Sequence, residues 1–172
     1  MSSYMKTYTG RYIDPTDPDP AQICIEDIAH ALSLICRGNG HVRTFWSVGQ
    51  HCICCAREAA ARGLSKRMVL ACLLHDAGEC YLSDVPRPFK DRVPAYRGIE
   101  NSLLGMIYER FLGSDLTAAE AQTVREIDDA MLWYDLRTLF DEVSDGPQPV
   151  LHITPDYTVR DFTAVEIGRA HV

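Results

Sequence analysis

Two places in this chain carry the reciprocal capping signature that commits a segment to helix. Ser47 is followed three residues later by Gln50, and Thr117 three residues later by Glu120. In each pair the hydroxyl can accept from the backbone of the third residue while that residue's side chain returns to the cap. Behind Thr117, the apolar residues Val124, Ile127, Met131, Leu132, Leu136, Leu139 and Phe140 recur at the spacing of a helix with one buried face, so a long last helix begins at Ala118. Behind Ser47 a helix runs through His51 and Ala56 to Gly63, and Ser65 can cap a further one over about 66–77. Ile25, Ile28, Ala29, Leu32, Ile35 and Cys36 mark an earlier helix that stops in Gly38-Asn39-Gly40.

Pro86, Pro88 and Pro94 make 81–94 a loop with one helical turn, after which a helix is predicted over about 95–111. The dipeptides Asp14-Pro15, Asp17-Pro18 and Asp19-Pro20 favour an extended N-terminal arm. Beyond Asp145-Gly146-Pro147 the pattern weakens into a short irregular tail, with short strands expected at 150–153 and 157–159. The expected fold is all-α, a bundle of about five main helices in a single domain over 1–165, with its helical core at about 25–141. The last seven residues, Glu166-Ile-Gly-Arg-Ala-His-Val172, match one reading frame of a common sequencing-library adapter. They are expected to be non-native read-through, which removes His171 from the chemistry.

Composition narrows the function. With 47% hydrophobic and 24% charged residues, the 172-residue chain has material for a sizeable core. Its formal charge of −7 argues against a broad basic surface tracking a phosphate backbone, so no large nucleic acid is expected as a partner. The longest apolar run, Met68 to Leu74, stops at His75, well short of the roughly 18–20 residues a membrane span needs. The opening residues lack the apolar core of a signal peptide, and seven cysteines are an odd number, so a cytoplasmic protein with reduced thiols is expected.

The chemistry centres on the end of that apolar run, where His75 and Asp76 follow Leu74 and lead into Ala77-Gly78-Glu79. Burying an imidazole and a carboxylate together is costly unless they are paired or bind a metal, and a metal supplies charge compensation and directional bonds at once. His51 on the preceding helix and Asp128 on the last one can complete a mixed nitrogen and oxygen set suited to a divalent transition ion: Mn, Co, Ni, Fe or Zn.

The segments Ser47-Val-Gly-Gln-His51, Leu73-Leu-His-Asp-Ala-Gly-Glu79 and Val124-Arg-Glu-Ile-Asp128 resemble the H…HD…D signature of HD-domain phosphohydrolases. The resemblance covers roughly residues 25–141 and is closest to small bacterial and phage hydrolases similar to 5′-deoxynucleotidases. It implies one divalent ion held by His51, His75, Asp76 and Asp128. Asp128 is favoured over Asp129 because Val124-Arg125-x-x-Asp128 matches the family register. It further implies catalytic roles for Glu79, which would orient or deprotonate the attacking water, and for Asp84, an acidic loop residue near the site. Arg37 matches a substrate-binding arginine, and Lys90 falls at a basic position suited to a phosphate contact. The implied activity is hydrolysis of a small phosphate monoester, a (deoxy)nucleoside 5′-monophosphate first among them, with a homodimer as the expected assembly.

Plainer readings stand beside these. Cys52, Cys54 and Cys55 read as small buried residues rather than a thiolate site, Trp46 and Trp133 as core aromatics, and His30 and His41 as structural or surface residues. His152 has no evident partner in the sequence. The rival of a different class is a non-catalytic, metal- and nucleotide-binding HD regulatory protein, against which Glu79 and Asp84 speak. An HD-fold di-iron oxygenase would require further histidines, and the spacing of His30, His41 and His152 gives it no support.

Overall fold

The computed structural model describes residues 4–142 and 146–158. Its main elements are helices: α1 (Ile25–Leu34), α2 (Val48–Ala61), α3 (Lys66–Leu74), α4 (Glu79–Leu82), α5 (Arg87–Lys90), α6 (Pro94–Leu112) and α7 (Ala118–Leu139). Of these, α4 and α5 are single turns, which leaves the expected five main helices and an all-α fold. No helix of the described residues is long and apolar enough to cross a membrane.

Both capping boxes form. Ser47 Oγ accepts from Gln50 N at 3.0 Å while Gln50 Oε1 accepts from Ser47 N at 2.9 Å, and Thr117 with Glu120 repeats the exchange at 3.3 and 2.8 Å. Ser65 caps α3 by accepting from Met68 N. Helix α2 packs chiefly on α3 and also on α1 and α7, while α3 reaches α6 and α7. The shared core holds Ile28, Leu32, Val48, Leu74, Leu103, Ile107, Ile127, Met131 and Leu139, all at 0% exposure. Removal of such side chains from water is the main stabilising term, at about 25 cal/mol per Å² of apolar surface.

The link from α1 to α2 is pinned at its base. Arg37 N donates to Trp46 O at 2.8 Å and Val48 N to Ile35 O at 2.9 Å, while Arg43 N reaches Leu139 O at 2.8 Å. Gly38 adopts φ +58°, and a Cβ there would lie 2.2 Å from Phe140 Cζ, so only glycine lets this turn sit against the end of α7. This closure brings Arg37 inward.

Three local expectations need correction. Helix α3 ends at Leu74 rather than near 77, because His75 caps it and a turn leads directly into α4. The N-terminal arm contains a short antiparallel hairpin, β1 (Met5–Lys6) with β2 (Tyr12–Ile13), held to α1 where Thr9 N and Oγ1 donate to Asp27 at 2.7 and 3.0 Å. No strand forms at 150–153, and Tyr157 and Thr158 lie in a turn instead of the expected strand. In the first of these segments the N–H groups of His152 and Ile153 donate to the buried carboxylate of Glu58, at 2.8 and 3.2 Å, in place of a ladder. Residue 159 and the suspected read-through at 166–172 lie outside the described residues.

Candidate metal centre

His51 sits in the first turns of α2, His75 closes α3, Asp76 opens the following turn, and Asp128 lies midway along α7. Contact of α2 and α3 with each other and with α7 brings these three stretches together. His51 Nε2 is 3.1 Å from Asp128 Oδ1 and 4.0 Å from Asp76 Oδ2, and His75 Nε2 is 3.5 and 3.3 Å from the same two oxygens. The two rings are 5.2 Å apart, centroid to centroid.

The outer nitrogens of both rings are already engaged. His75 Nδ1 donates to the carbonyl of Cys72 at 2.8 Å, and His51 Nδ1 donates to Asp135 Oδ2 at 2.8 Å. Both acceptors lack a proton to give, so in a neutral ring the lone pair is on Nε2, aimed at carboxylate oxygens. His75 Nε2 is buried and has no hydrogen-bond partner. Two nitrogen and two oxygen acceptors thus converge, an arrangement that calls for a cation between them.

Protonation of the imidazoles is the alternative way to balance this charge. Burial, together with Arg37, disfavours charged His51, but Cys55, Asp135 and Asp128 outweigh them and hold it well above the ordinary range. For His75 burial is again overcome, by Asp76, Cys52, Cys55 and Asp128. Asp76 and Asp128 are lowered in turn: against the cost of burial, His75 acts on Asp76 and both histidines act on Asp128. A metal at this position would compete with those protons.

Sulfur is also at hand. Cys55 Sγ lies 3.6 Å from His51 Nε2, one helical turn along α2. Two overlapping groups could hold a metal ion, His51 with Cys55 and His75, and Cys52 with His75 and Asp76. The plain reading of these cysteines as buried small residues is therefore incomplete: Cys52 and Cys55 are 0% and 1% exposed and also border the site. Burial raises the Cys52 thiol despite His75, which favours its protonated form.

The residues expected to act on substrate divide into two places. Glu79, at the start of α4, and Lys90, at the end of α5, line an open cleft of about 640 Å³ together with His75, Asp76, Arg87 and Asp128. Lys90 Nζ is 3.3 Å from Glu79 Oε1 and also pairs with Glu100. Glu79 Oε2 is buried without a hydrogen-bond partner. Burial, Asp76 and Asp84 hold the Glu79 carboxyl well above its usual range against the pull of Lys90 and Arg37. Arg37 and Asp84 are not among the cleft-lining residues. The Arg37 guanidinium bridges Asp76, at 3.4 Å, and Asp135, at 3.3 Å. Asp84 Oδ2 accepts from Gly38 N at 2.7 Å and so fastens the turn that carries Arg37.

Sequence reasoning passed over Asp135, Tyr157 and Arg87. Asp135 is 1% exposed, and Tyr157 Oη donates to its other oxygen at 2.8 Å. Its signal was the seven-residue interval from Asp128, two helical turns along one face. Arg87 pairs with Asp128 and Asp129, each at 2.7 Å, which brings a further cation to the cleft. Two other histidines lie elsewhere: His30 stacks on Tyr8, with centroids 3.7 Å apart, and His152 Nδ1 meets Glu58 Oε1 at 3.0 Å.

No family model matches the chain. It is 36% identical over 115 residues to an uncharacterized protein of Rhodobacter capsulatus, a match covering 63% of this chain and 58% of that one. It is also 36% identical over 172 residues to the uncharacterized protein YfdR of Escherichia coli strain K12, with 98% of this chain and 89% of YfdR covered. Identity at that level over nearly the whole of both proteins shows that the chain belongs to the family of YfdR.

Proposed function

We propose that the protein is a metal-dependent phosphohydrolase of the HD type, cleaving a small phosphate monoester, with a (deoxy)nucleoside 5′-monophosphate as the first candidate. The observation that carries this reading is the convergence of His51 Nε2, His75 Nε2, Asp76 Oδ2 and Asp128 Oδ1 beside an open cleft, with the His75 nitrogen buried and without a hydrogen-bond partner. These donors suit one divalent Mn, Co, Ni, Fe or Zn ion. Such an ion, when bound, polarises a phosphoryl oxygen and makes water a nucleophile near neutral pH.

The chain's own residues then have separable tasks. Glu79 is a buried carboxyl lining the cleft beside the converging donors, and its unpartnered Oε2 is the atom to take a proton from the attacking water. The water oxygen bonds to phosphorus as the ester P–O bond breaks, and the proton taken by Glu79 passes to the departing alkoxide. Lys90 and Arg87, both lining the cleft, balance charge on the phosphoryl oxygens. A volume near 640 Å³ lies within the roughly 300–1,000 Å³ usual for small-molecule sites. Arg37 serves behind the ligands, neutralising Asp76 and Asp135, rather than in direct contact with phosphate.

One observation favours the non-catalytic reading: Lys90 and Arg87 are already paired with carboxylates, so a phosphate must displace those partners to engage them. The deciding experiment is phosphate release from a panel of nucleoside and deoxynucleoside monophosphates. The protein is stripped and reloaded separately with each metal, and Asp76→Ala is the control. Metal-dependent release that vanishes in the control supports the hydrolase; silence across the panel with metal bound favours the regulatory binder.

A further inference from the structure

We propose that the C-terminal segment is a working part of the metal centre: Tyr157, acting through Asp135, fixes the ring of His51 and thereby sets how tightly the ion is held. The inference rests on the metal-site reading above and extends it to residues beyond the helical core.

The two histidines are oriented by different means. His75 is held from within its own helix, where Nδ1 donates to the carbonyl of Cys72. His51 has no such local acceptor. Its Nδ1 depends on Asp135 Oδ2, 84 residues further along the chain. A hydrogen bond from the outer nitrogen of a ligating imidazole to a carboxylate fixes the tautomer and the ring plane and raises the ring's basicity.

That carboxylate is in turn held at both oxygens. Arg37 Nη2 lies 3.3 Å from Oδ2, and Tyr157 Oη donates to Oδ1 at 2.8 Å. With Asp135 1% exposed, solvent cannot replace a lost donor without opening the core. Rotation of the carboxylate about its Cβ–Cγ bond would break bonds on both sides.

Tyr157 is delivered by a segment with its own anchorage. His152 N, His152 Nδ1 and Ile153 N all reach the Glu58 carboxylate, which lies seven residues after His51 on α2 and is 0% exposed. Leu151, Ile153 and Tyr157 pack against the core, and the Tyr157 ring lies 4.9 Å from that of Trp46. The segment is thus fastened to the same helix whose histidine it helps to orient. Tyr134 offers an internal control, because its hydroxyl donates to Pro149 O at 2.9 Å, steadying the same segment without touching Asp135.

The test uses the full chain and Co(II) alone. Affinity is measured by competition with a chromophoric chelator for the wild type, Tyr157→Phe, Asp135→Asn and Tyr134→Phe, with folding checked by circular dichroism and by the denaturant midpoint of metal-free protein. The loss expected for an outer partner of a metal-bound histidine is about 10- to 100-fold. Tyr157→Phe should weaken Co(II) binding toward the lower end of that range and Asp135→Asn toward the upper end, with visible absorption bands altered in both. Tyr134→Phe should bind as the wild type does. Equal affinity and spectra for the wild type, Tyr157→Phe and Asp135→Asn would overturn the inference while leaving the metal site standing. Equal weakening in Tyr134→Phe would overturn it too, since the segment would then act only through stability. Failure of the wild type to bind Co(II) would overturn the metal reading and this inference together.

Discussion

Arg37 decides between two pictures of the site, and Arg37→Met separates them. Its side chain is 11% exposed and faces two carboxylates, Asp76 Oδ2 at 3.4 Å and Asp135 Oδ2 at 3.3 Å. At an effective dielectric of about 20 each pair is worth about 5 kcal/mol of direct attraction. Removing the guanidinium also relieves its own burial cost, so the net loss expected from breaking a buried network of this kind is about 3–5 kcal/mol. Methionine roughly preserves the volume, so packing adds little. For a domain of this size the loss corresponds to about 6–20 °C in Tm, at about 2–4 °C per kcal/mol. Scanning calorimetry of metal-free protein should show that drop, and saturating Zn(II) should recover much of it, because a dication beside Asp76 replaces the missing charge. An unchanged Tm, together with a raised KM for a phosphate ester, would refute this reasoning and return Arg37 to the role of a direct substrate contact.

Four further outcomes are expected. In metal-free protein His51 and His75 have raised pKa values in spite of burial, through Cys55 and Asp135 for the first and Asp76 for the second. Their contribution to stability is therefore complete below the ordinary imidazole pKa of about 6.5 and is lost as pH rises through the raised values, so urea midpoints should fall as pH is raised above that range; a rising midpoint would contradict the assignment. Metal binding should show the opposite trend and strengthen with pH, since the protons on both Nε2 atoms must leave first, which titration of released protons would detect. Glu79→Gln should keep its metal, by elemental analysis, and lose turnover by about 10²-fold or more, and unchanged turnover would make Glu79 a structural carboxyl. Gly38→Ala places a Cβ 2.2 Å from Phe140 Cζ at φ +58°, and should cost about 1–3 kcal/mol in chemical denaturation. An unshifted midpoint there would mean that the Arg37 turn does not pack on Phe140.

Much of the frame could be read from short-range signals. The two capping boxes fixed the starts of α2 and α7, and apolar spacing located the buried faces of α1 and α7, because both are properties of neighbouring residues. The four converging side chains were anticipated in two ways: His75 and Asp76 because a histidine and an aspartate closing an apolar run leave few ways of avoiding an unpaired buried charge, and His51 and Asp128 through the resemblance to the H…HD…D signature. What escaped depends on distant partners. In the sequence Asp135 is one more charge on an amphipathic helix, and only its seven-residue interval from Asp128 marks the shared face. The 150–153 segment, with Val150 and Ile153, has the β-branched residues of a strand, yet Glu58, nearly a hundred residues away, takes its backbone donors instead. Arg37 carried a charge suited to phosphate, and nothing local revealed that the pinned turn at Gly38 would aim it at Asp76 and Asp135. Cys52 and Cys55 read correctly as buried residues, but their distance from the imidazoles is set by the contact of α2 with α3, which no single segment encodes.

The most direct test of the centre itself is an anomalous difference map from crystals grown with Zn(II) or Co(II), recorded at the absorption edge of that metal. The prediction is one dominant peak at about 2.0–2.2 Å from His51 Nε2, His75 Nε2 and the facing oxygens of Asp76 and Asp128. A peak held by other residues, or none between the two imidazoles at saturating metal, would contradict it.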